Sequence, residues 1–252
     1  MKLNCDVAVI GAGPAGSVAA KYASKYGAKT LLIEEHERVG FPARCTGLLS
    51  KEVLKECELD EGKFILNKVR GAYIYSPRGK MLAIDGREAK AYVVDREEFD
   101  RELANRAISE GVEILLNTKA LNFSQGKIQA ISQGKRFEIK CKVAIAADGL
   151  KSKIARDAEL GRVKKILSAA QIEAGFKPWD SSFVEIYLGR DFAPGFFAWA
   201  VPINSCSARI GVATFKNAAR YLEHILSSHP TASSRYSGQK QNFVRGGIPI
   251  GT

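Results

Sequence analysis

The 252-residue sequence predicts an α/β fold, a mainly parallel sheet into which a second, mainly antiparallel sheet is inserted. Three observations carry that expectation. Near the start, the apolar run Val7-Ala8-Val9-Ile10 leads through a glycine turn and a helical stretch to a second apolar run, Leu31-Leu32-Ile33. Strand, helix, strand is the unit of a parallel sheet. Later, Val143-Ala144-Ile145-Ala146-Ala147 is a continuous apolar run of buried-strand type. Beyond Gly161, strand-like runs around 169–176, 183–188, 196–201 and 208–214 follow one another with no helix between them, as antiparallel sheets do.

The first element is the most informative. The turn Gly11-Ala12-Gly13-Pro14-Ala15-Gly16 must reverse a strand into a helix, admit a pyrophosphate against bare backbone and let helix and sheet pack closely, which leaves little room for side chains. The first amides of the helix lack partners within it and face an anion. Glu34 closes the second strand roughly 20 residues on, where a carboxylate accepts ribose hydroxyls and repels a 2′-phosphate. The site is therefore a Rossmann-like one for FAD or NAD rather than NADP, with Gly11, Gly13, Ala15, Gly16, Glu34 and the adjacent Glu35 as its candidate residues.

Composition is globular, 46% hydrophobic and 26% charged, and the length allows one large or two modest domains. Five cysteines, odd in number and without a Cys-x-x-Cys pair, speak against a disulfide framework or a zinc site and predict reduced thiols in a cytoplasm. Metal catalysis is not expected: His36 is isolated, and His224 and His229 have no third ligand nearby. No apolar run approaches the ~18 residues of a membrane span. The net charge is +11, and Lys151, Lys153, Arg156, Arg162, Lys164 and Lys165 crowd one stretch with only Asp157 and Glu159 opposing them. Two readings stand, a solvated basic face or attraction to an anionic membrane surface or phosphorylated substrate. Nucleic acid is not indicated, because no recognition motif accompanies the charge.

Along the chain, the glycine- and proline-punctuated loop from Val39 to Gly47 precedes a polar helical stretch from Ser50 to Glu58. A loop of this length in a compact domain usually carries function. Alternating segments around Ala72–Tyr75 and Met81–Ile84, joined by Ser76-Pro77-Arg78-Gly79, predict a hairpin that begins the second sheet. Asp95, with Glu98 three residues on, opens a helix whose apolar stripe is Phe99, Leu103 and Ala107, and Gly111 ends it. Residues 112–116 then form a strand, and short strands flank Gln125-Gly126 and Gln133-Gly134. The run from Val143 stops at Asp148-Gly149, where a helix containing Ile154 begins, and an amphipathic helix covers 217–226. The resulting domains are 1–70 with 95–160, binding the nucleotide, and 71–94 with 161–252, antiparallel.

With these elements in place, the chain resembles the flavoprotein oxidoreductases of the aromatic-hydroxylase fold and, within them, the geranylgeranyl reductases that saturate isoprenoid double bonds. The resemblance spans nearly the whole chain. It rests on the glycine turn with Glu34, on Pro42-Ala43-Arg44-Cys45-Thr46-Gly47, on Asp95-Arg96-Glu97-Glu98-Phe99-Asp100, on Ala146-Ala147-Asp148-Gly149 and on Pro194-Gly195-Phe196-Phe197-Ala198-Trp199-Ala200-Val201-Pro202. The Cys45 loop and the Trp199 segment point to the reductase branch.

The resemblance implies FAD, held also by Arg44, Gly47, Arg96 and by Asp148-Gly149 as the second flavin motif. For Arg96 a surface ion pair with Glu98 or Asp100 is the competing reading, and for Asp148 a plain strand ending. It implies further that Cys45 approaches the flavin and substrate as proton donor, against the ordinary alternative of a small buried hydrophobe. Phe196, Phe197, Trp199 and Pro202 would line an apolar tunnel for a prenyl chain, unless they are simply core strand. Hydride would come from reduced FAD; the electron donor, NADPH, NADH or ferredoxin, leaves no trace in the sequence. Prenylated membrane lipids are the implied substrates, with peripheral contact at the inner face of the membrane.

Two departures accompany the match. Phe197 stands where the family pattern has tyrosine and Val201 where it has phenylalanine, so a phenolic hydroxyl is missing at the first. The third flavin element, a strand followed by Gly-Asp and a helix, does not follow Gly246-Gly247-Ile248-Pro249-Ile250-Gly251-Thr252. That predicts an N-terminal part of a longer enzyme with weak FAD binding. The alternatives are a flavin monooxygenase or halogenase of the same fold, or an inactive nucleotide-binding fragment.

Overall fold

The computed structural model describes residues 2–161 and 163–251, without the side chains of residues 240 and 241. Arg162 of the basic stretch and Thr252 of the glycine-rich segment lie outside the described residues. In chain order the elements are β1 (Lys2–Ile10), α1 (Pro14–Lys25), β2 (Thr30–Ile33), β3 (Leu48–Ser50), α2 (Lys51–Glu56), β4 (Ile65–Val69), β5 (Gly71–Tyr75), β6 (Met81–Asp85), β7 (Ala91–Val94) and α3 (Arg96–Ser109). They continue as β8 (Glu113–Leu115), β9 (Thr118–Ser124), β10 (Lys127–Ser132), β11 (Lys135–Ala146), α4 (Lys153–Asp157), β12 (Ile166–Phe176), β13 (Phe183–Tyr187), β14 (Ala198–Pro202), β15 (Ser207–Thr214), α5 (Ala218–Ser228) and β16 (Tyr236–Pro249). The chain divides into two units, 1–43 with 96–163 and 44–95 with 164–252.

The first unit holds one sheet in the order β8-β2-β1-β11-β10-β9. Its four central and edge strands β8, β2, β1 and β11 run parallel, as the strand–helix–strand opening requires, while β10 and β9 add antiparallel pairs. The two hairpin turns are built on residues with positive φ, Gln125-Gly126 and Gln133-Gly134, which match the twist of the strands they join. Alternate residues of β1 enter opposite cores: Val9 packs with Ala20, Leu32 and Ala107 on the helix face, and Ala8 and Ile10 with Ile128, Ile139 and Ile154 on the other. The run predicted as buried at 143–147 is only partly covered: residues 144–147 are half-buried. Val143 is 53% exposed, because it lies on the same side as Ile145 and Ala147 but outside the cluster those two join.

The second unit contains a seven-stranded sheet, β16-β12-β15-β14-β13-β5-β6, and a three-stranded sheet, β3-β7-β4. The predicted hairpin is present as β5 and β6, with Gly71 opposite Asp85, and β5 joins the larger sheet parallel to β13. Residues 44–70, expected with the nucleotide domain, belong by their contacts to this unit. The reason is local: β4 pairs with β7, and the Asn67 amide donates to the carbonyls of Ser181 and Pro202 at 2.7 and 2.9 Å.

One face of the large sheet is covered by α5, which buries Leu222, Ile225 and Leu226 against Ile172, Ile210 and Val212. Within this core Glu185, fully buried, forms a two-pronged ion pair with Arg235 and accepts from the Tyr187 hydroxyl at 2.6 Å. Burial, with the Glu185 carboxylate beside it, holds the Tyr187 phenol well above its ordinary pKa and so keeps it a donor. The opposite face carries Leu167, Val184, Trp199, Val201 and Ala213.

Candidate functional sites

In the first unit the turn after β1 is dictated by packing. Gly11 sits at φ +100°, and a Cβ there would overlap the carbonyl of Ala147, while one on Gly16 would overlap the carbonyl oxygen of Gly11. Gly13 differs: its φ of −69° suits any residue, and a Cβ would meet nothing within 4 Å. The protein itself has no need of glycine at 13. The open space lies where α1 begins, with Pro14 in its first turn and no side chain capping it. A bare helix start facing unfilled space fits a pyrophosphate.

Glu34, 8% exposed, follows β2, whose four residues are all buried. Its Oε2 accepts from the Ala12 amide at 2.9 Å, tying the carboxylate to the turn, and its Oε1 accepts from the His36 amide at 3.0 Å and lies 2.6 Å from His36 Nδ1. His36 is therefore not isolated. A carboxylate offers about four acceptor positions, so one remains for a ribose hydroxyl. Glu35 points elsewhere, exposed and paired with Lys119 at 2.8 Å. Ala15 is exposed on the first turn of α1.

Arg96 opens α3 and makes two bonds to Asp100, at 3.0 and 2.9 Å. Asp100 is 4% exposed, and burial raises its pKa against the opposing pull of Arg96. Gly40, at φ +80°, packs on this helix start, where a Cβ would stand 2.8 Å from Glu97 Cα. Arg96 is thus engaged by Asp100 at the start of α3. Asp148 likewise serves its own helix, accepting from Ser152 Oγ and from the Lys153 and Ile154 amides at the start of α4. Gly149, at φ +84°, borders open space. Among the described residues no three His, Cys, Asp or Glu side chains gather as metal ligands.

The second unit has its own cleft, about 300 Å³, lined by Arg44, Cys45, Thr46, Gln171, Trp199 and the side-chain-free stretch Gly246-Gly247 among others. Cys45 is exposed, and its Sγ accepts from the Gly47 amide at 3.4 Å. Gly47, at φ +72°, turns the loop back so that its carbonyl accepts from Val94. Two predicted site residues distant in sequence, Cys45 and Trp199, therefore share one cleft. Phe197 stands edge-on to Trp199 with centroids 6.3 Å apart and stacks on Phe196 at 4.2 Å; both pack on the cluster that holds Trp199 and neither lines the cleft itself. Pro202 is buried at the end of β14 with its carbonyl bonded to Asn67, and does not line the cleft.

The sequence reading missed two polar residues. Gln171 Oε1 accepts from Thr46 Oγ1 at 2.6 Å and from Trp199 Nε1 at 3.3 Å. Arg209 Nη1 donates to the carbonyls of Thr46 and Val94, both at 2.8 Å, while its Nε lies 3.4 Å from Glu173. Register explains the indole's reach: Gln171 and Trp199 both pair with Gly211 of β15, and a Cβ on Gly211 would overlap the indole. Gly211→Ala is accordingly expected to cost about 1–3 kcal/mol and to red-shift Trp199 emission, read by urea unfolding and fluorescence in a Trp179→Phe background. An unshifted spectrum at unchanged stability would contradict this placement.

Residues 4–221 match a family model described as FAD binding domain. The chain belongs to this FAD-binding family. It is 34% identical over 257 residues to the digeranylgeranylglycerophospholipid reductase of Methanocaldococcus jannaschii, covering 97% of this chain and 65% of that protein. The reductase of the same name from Thermoplasma volcanium is 34% identical over 266 residues, covering 97% and 66%. The chain thus spans slightly less than two thirds of these relatives. Among solved structures, a geranylgeranyl bacteriochlorophyll reductase-like protein from Thermoplasma acidophilum superposes with a TM-score of 0.89 at 32% identity, over 99% of this chain and 67% of that one. A flavin-dependent brominase shares the fold at 19% identity and a TM-score of 0.78, over 97% and 67%. No described helix is long and apolar enough to cross a membrane.

Proposed function

We propose that this FAD-binding chain forms the cofactor site and prenyl cleft of a reductase that saturates carbon–carbon double bonds of geranylgeranyl groups on membrane lipids. The observation that carries the reading is the cleft in which Cys45 meets Trp199, with Phe197 packed on the indole, taken with relatives named for reduction of a digeranylgeranylglycerophospholipid. Reduced FAD supplies the hydride when bound. The α1 start and Glu34 hold the nucleotide. Trp199, supported by Phe197 and Phe196, holds an isoprenoid by shape and apolar contact, since it offers no hydrogen-bonding group, and excludes water from it. Cys45 Sγ delivers the proton to the alkene carbon opposite the hydride. The net charge of +11 favours encounter with the anionic bilayers in which such a lipid resides.

The test is spectroscopic. The chain is incubated with FAD, desalted, reduced without oxygen and mixed with a digeranylgeranylglycerophospholipid. Retained flavin that reoxidises on adding the lipid is the expected result. Reoxidation by oxygen alone would replace this reading with a monooxygenase or halogenase, and failure to retain flavin would reduce it to a nucleotide-fold fragment.

A further inference from the structure

Three polar contacts hold the segment bearing Cys45, two from β12 and β15 of the large sheet and one from β7 of the small one. The Thr46 hydroxyl donates to Gln171, the Thr46 carbonyl accepts from Arg209, and the Val94 amide closes the loop on the Gly47 carbonyl. Gln171 has a second donor on the same oxygen, the Trp199 indole. One amide oxygen therefore fixes both the residue next to the thiol and the aromatic ring across the cleft. Gln171 projects from β12 into the cleft lining, half-buried, where a residue serving only solubility would have no reason to accept twice from inside the site.

We propose that Gln171 is a positioning residue for the reductase reaction, setting the distance between the Cys45 thiol and the substrate-facing edge of Trp199. The inference rests on the function proposed above. Its chemistry is that of a shared acceptor. An oxygen that takes two hydrogen bonds at 2.6 and 3.3 Å couples the two donors, so the loop cannot shift without releasing the indole or dragging it along. Gln171→Glu keeps the acceptor oxygen; Gln171→Leu removes it at similar volume. Thr46→Val deletes only the loop's hydroxyl.

The experiment has two arms. In the first, hydrogen exchange by mass spectrometry follows peptides covering 44–50 in the chain as it stands, without flavin or lipid. Exchange there is expected to rise roughly fivefold in Gln171→Leu and in Thr46→Val, to stay near wild type in Gln171→Glu, and to leave β1 and α1 peptides unchanged. In the second, single-turnover flavin reoxidation by the lipid is expected to slow about tenfold in Gln171→Leu and Thr46→Val, with lipid affinity changed less than about twofold, and to recover in Gln171→Glu. Unchanged exchange at 44–50 in both bond-deleting variants would overturn the proposal, as would wild-type turnover in a variant whose loop has loosened. If the wild-type flavin is not reoxidised by lipid, the functional reading fails while the exchange arm still reports whether Gln171 holds the loop.

Discussion

Replacing Arg235 with methionine is expected to destabilise the second unit by about 3–5 kcal/mol, because the change strands a carboxylate with no access to water. Glu185 is fully buried, and Arg235, itself 8% exposed as a side chain, holds both of its oxygens. The guanidinium also donates to the Thr231 carbonyl at 2.9 Å and lies 4.9 Å from the Phe176 ring and 5.4 Å from Trp179. It thereby fastens the 3-10 turn Ser233–Arg235, which follows α5, to strand β13. A melting temperature lower by on the order of 10 °C is the corresponding calorimetric result. Removing both charges, as Glu185→Leu with Arg235→Met, is expected to be milder than Arg235→Met alone, since nothing is then left uncompensated. A single variant within about 1 kcal/mol of wild type would mean that the pair stabilises nothing.

The second large effect separates two of the three glycines of the first turn. Gly16→Ala drives a Cβ into the Gly11 carbonyl oxygen, a backbone atom that cannot swing away, so the first unit is expected to lose about 3 kcal/mol or more. Gly13→Ala meets no protein atom and keeps an ordinary φ, so its melting temperature should match wild type. Its FAD affinity, measured by flavin fluorescence, is nonetheless expected to fall at least about tenfold, because the space a methyl would fill is the space the pyrophosphate needs. Gly13→Ala binding FAD normally would place the phosphates elsewhere.

The nucleotide turn was legible because its signal is local: glycines at fixed spacing, a strand before, a helix after and an acid at the end of the next strand. Cys45 and Trp199 were legible by the motifs around them. Gln171 and Arg209 were not, since each is a single polar residue on an alternating strand, and their partners Thr46 and Val94 stand far away in sequence. Only pairing of β12 with β15 and of β14 with β15 sets Gln171, Gly211 and Trp199 in one row. The same holds for residues 44–70, held in part by hydrogen-bond partners more than a hundred residues distant, the carbonyls of Ser181 and Pro202. Arg96 and Asp148 show the converse: recognisable motifs whose side chains here are engaged by Asp100 and by the α4 amides.

The excursion of the chain from residue 44 to 95 begins and ends at clasped points. In the first unit Gly40 lies against Glu97 and Asp100; in the second the Gly47 carbonyl meets the Val94 amide, and one Arg209 nitrogen bridges Thr46 and Val94. Each unit is therefore, to the other, a loop whose ends are already held together. Closing a disordered loop of that length costs about 3–4 kcal/mol of chain entropy, and folding of either unit relieves the other of that cost. The two are coupled thermodynamically through connectivity, so calorimetric unfolding of one should lower the midpoint of the other.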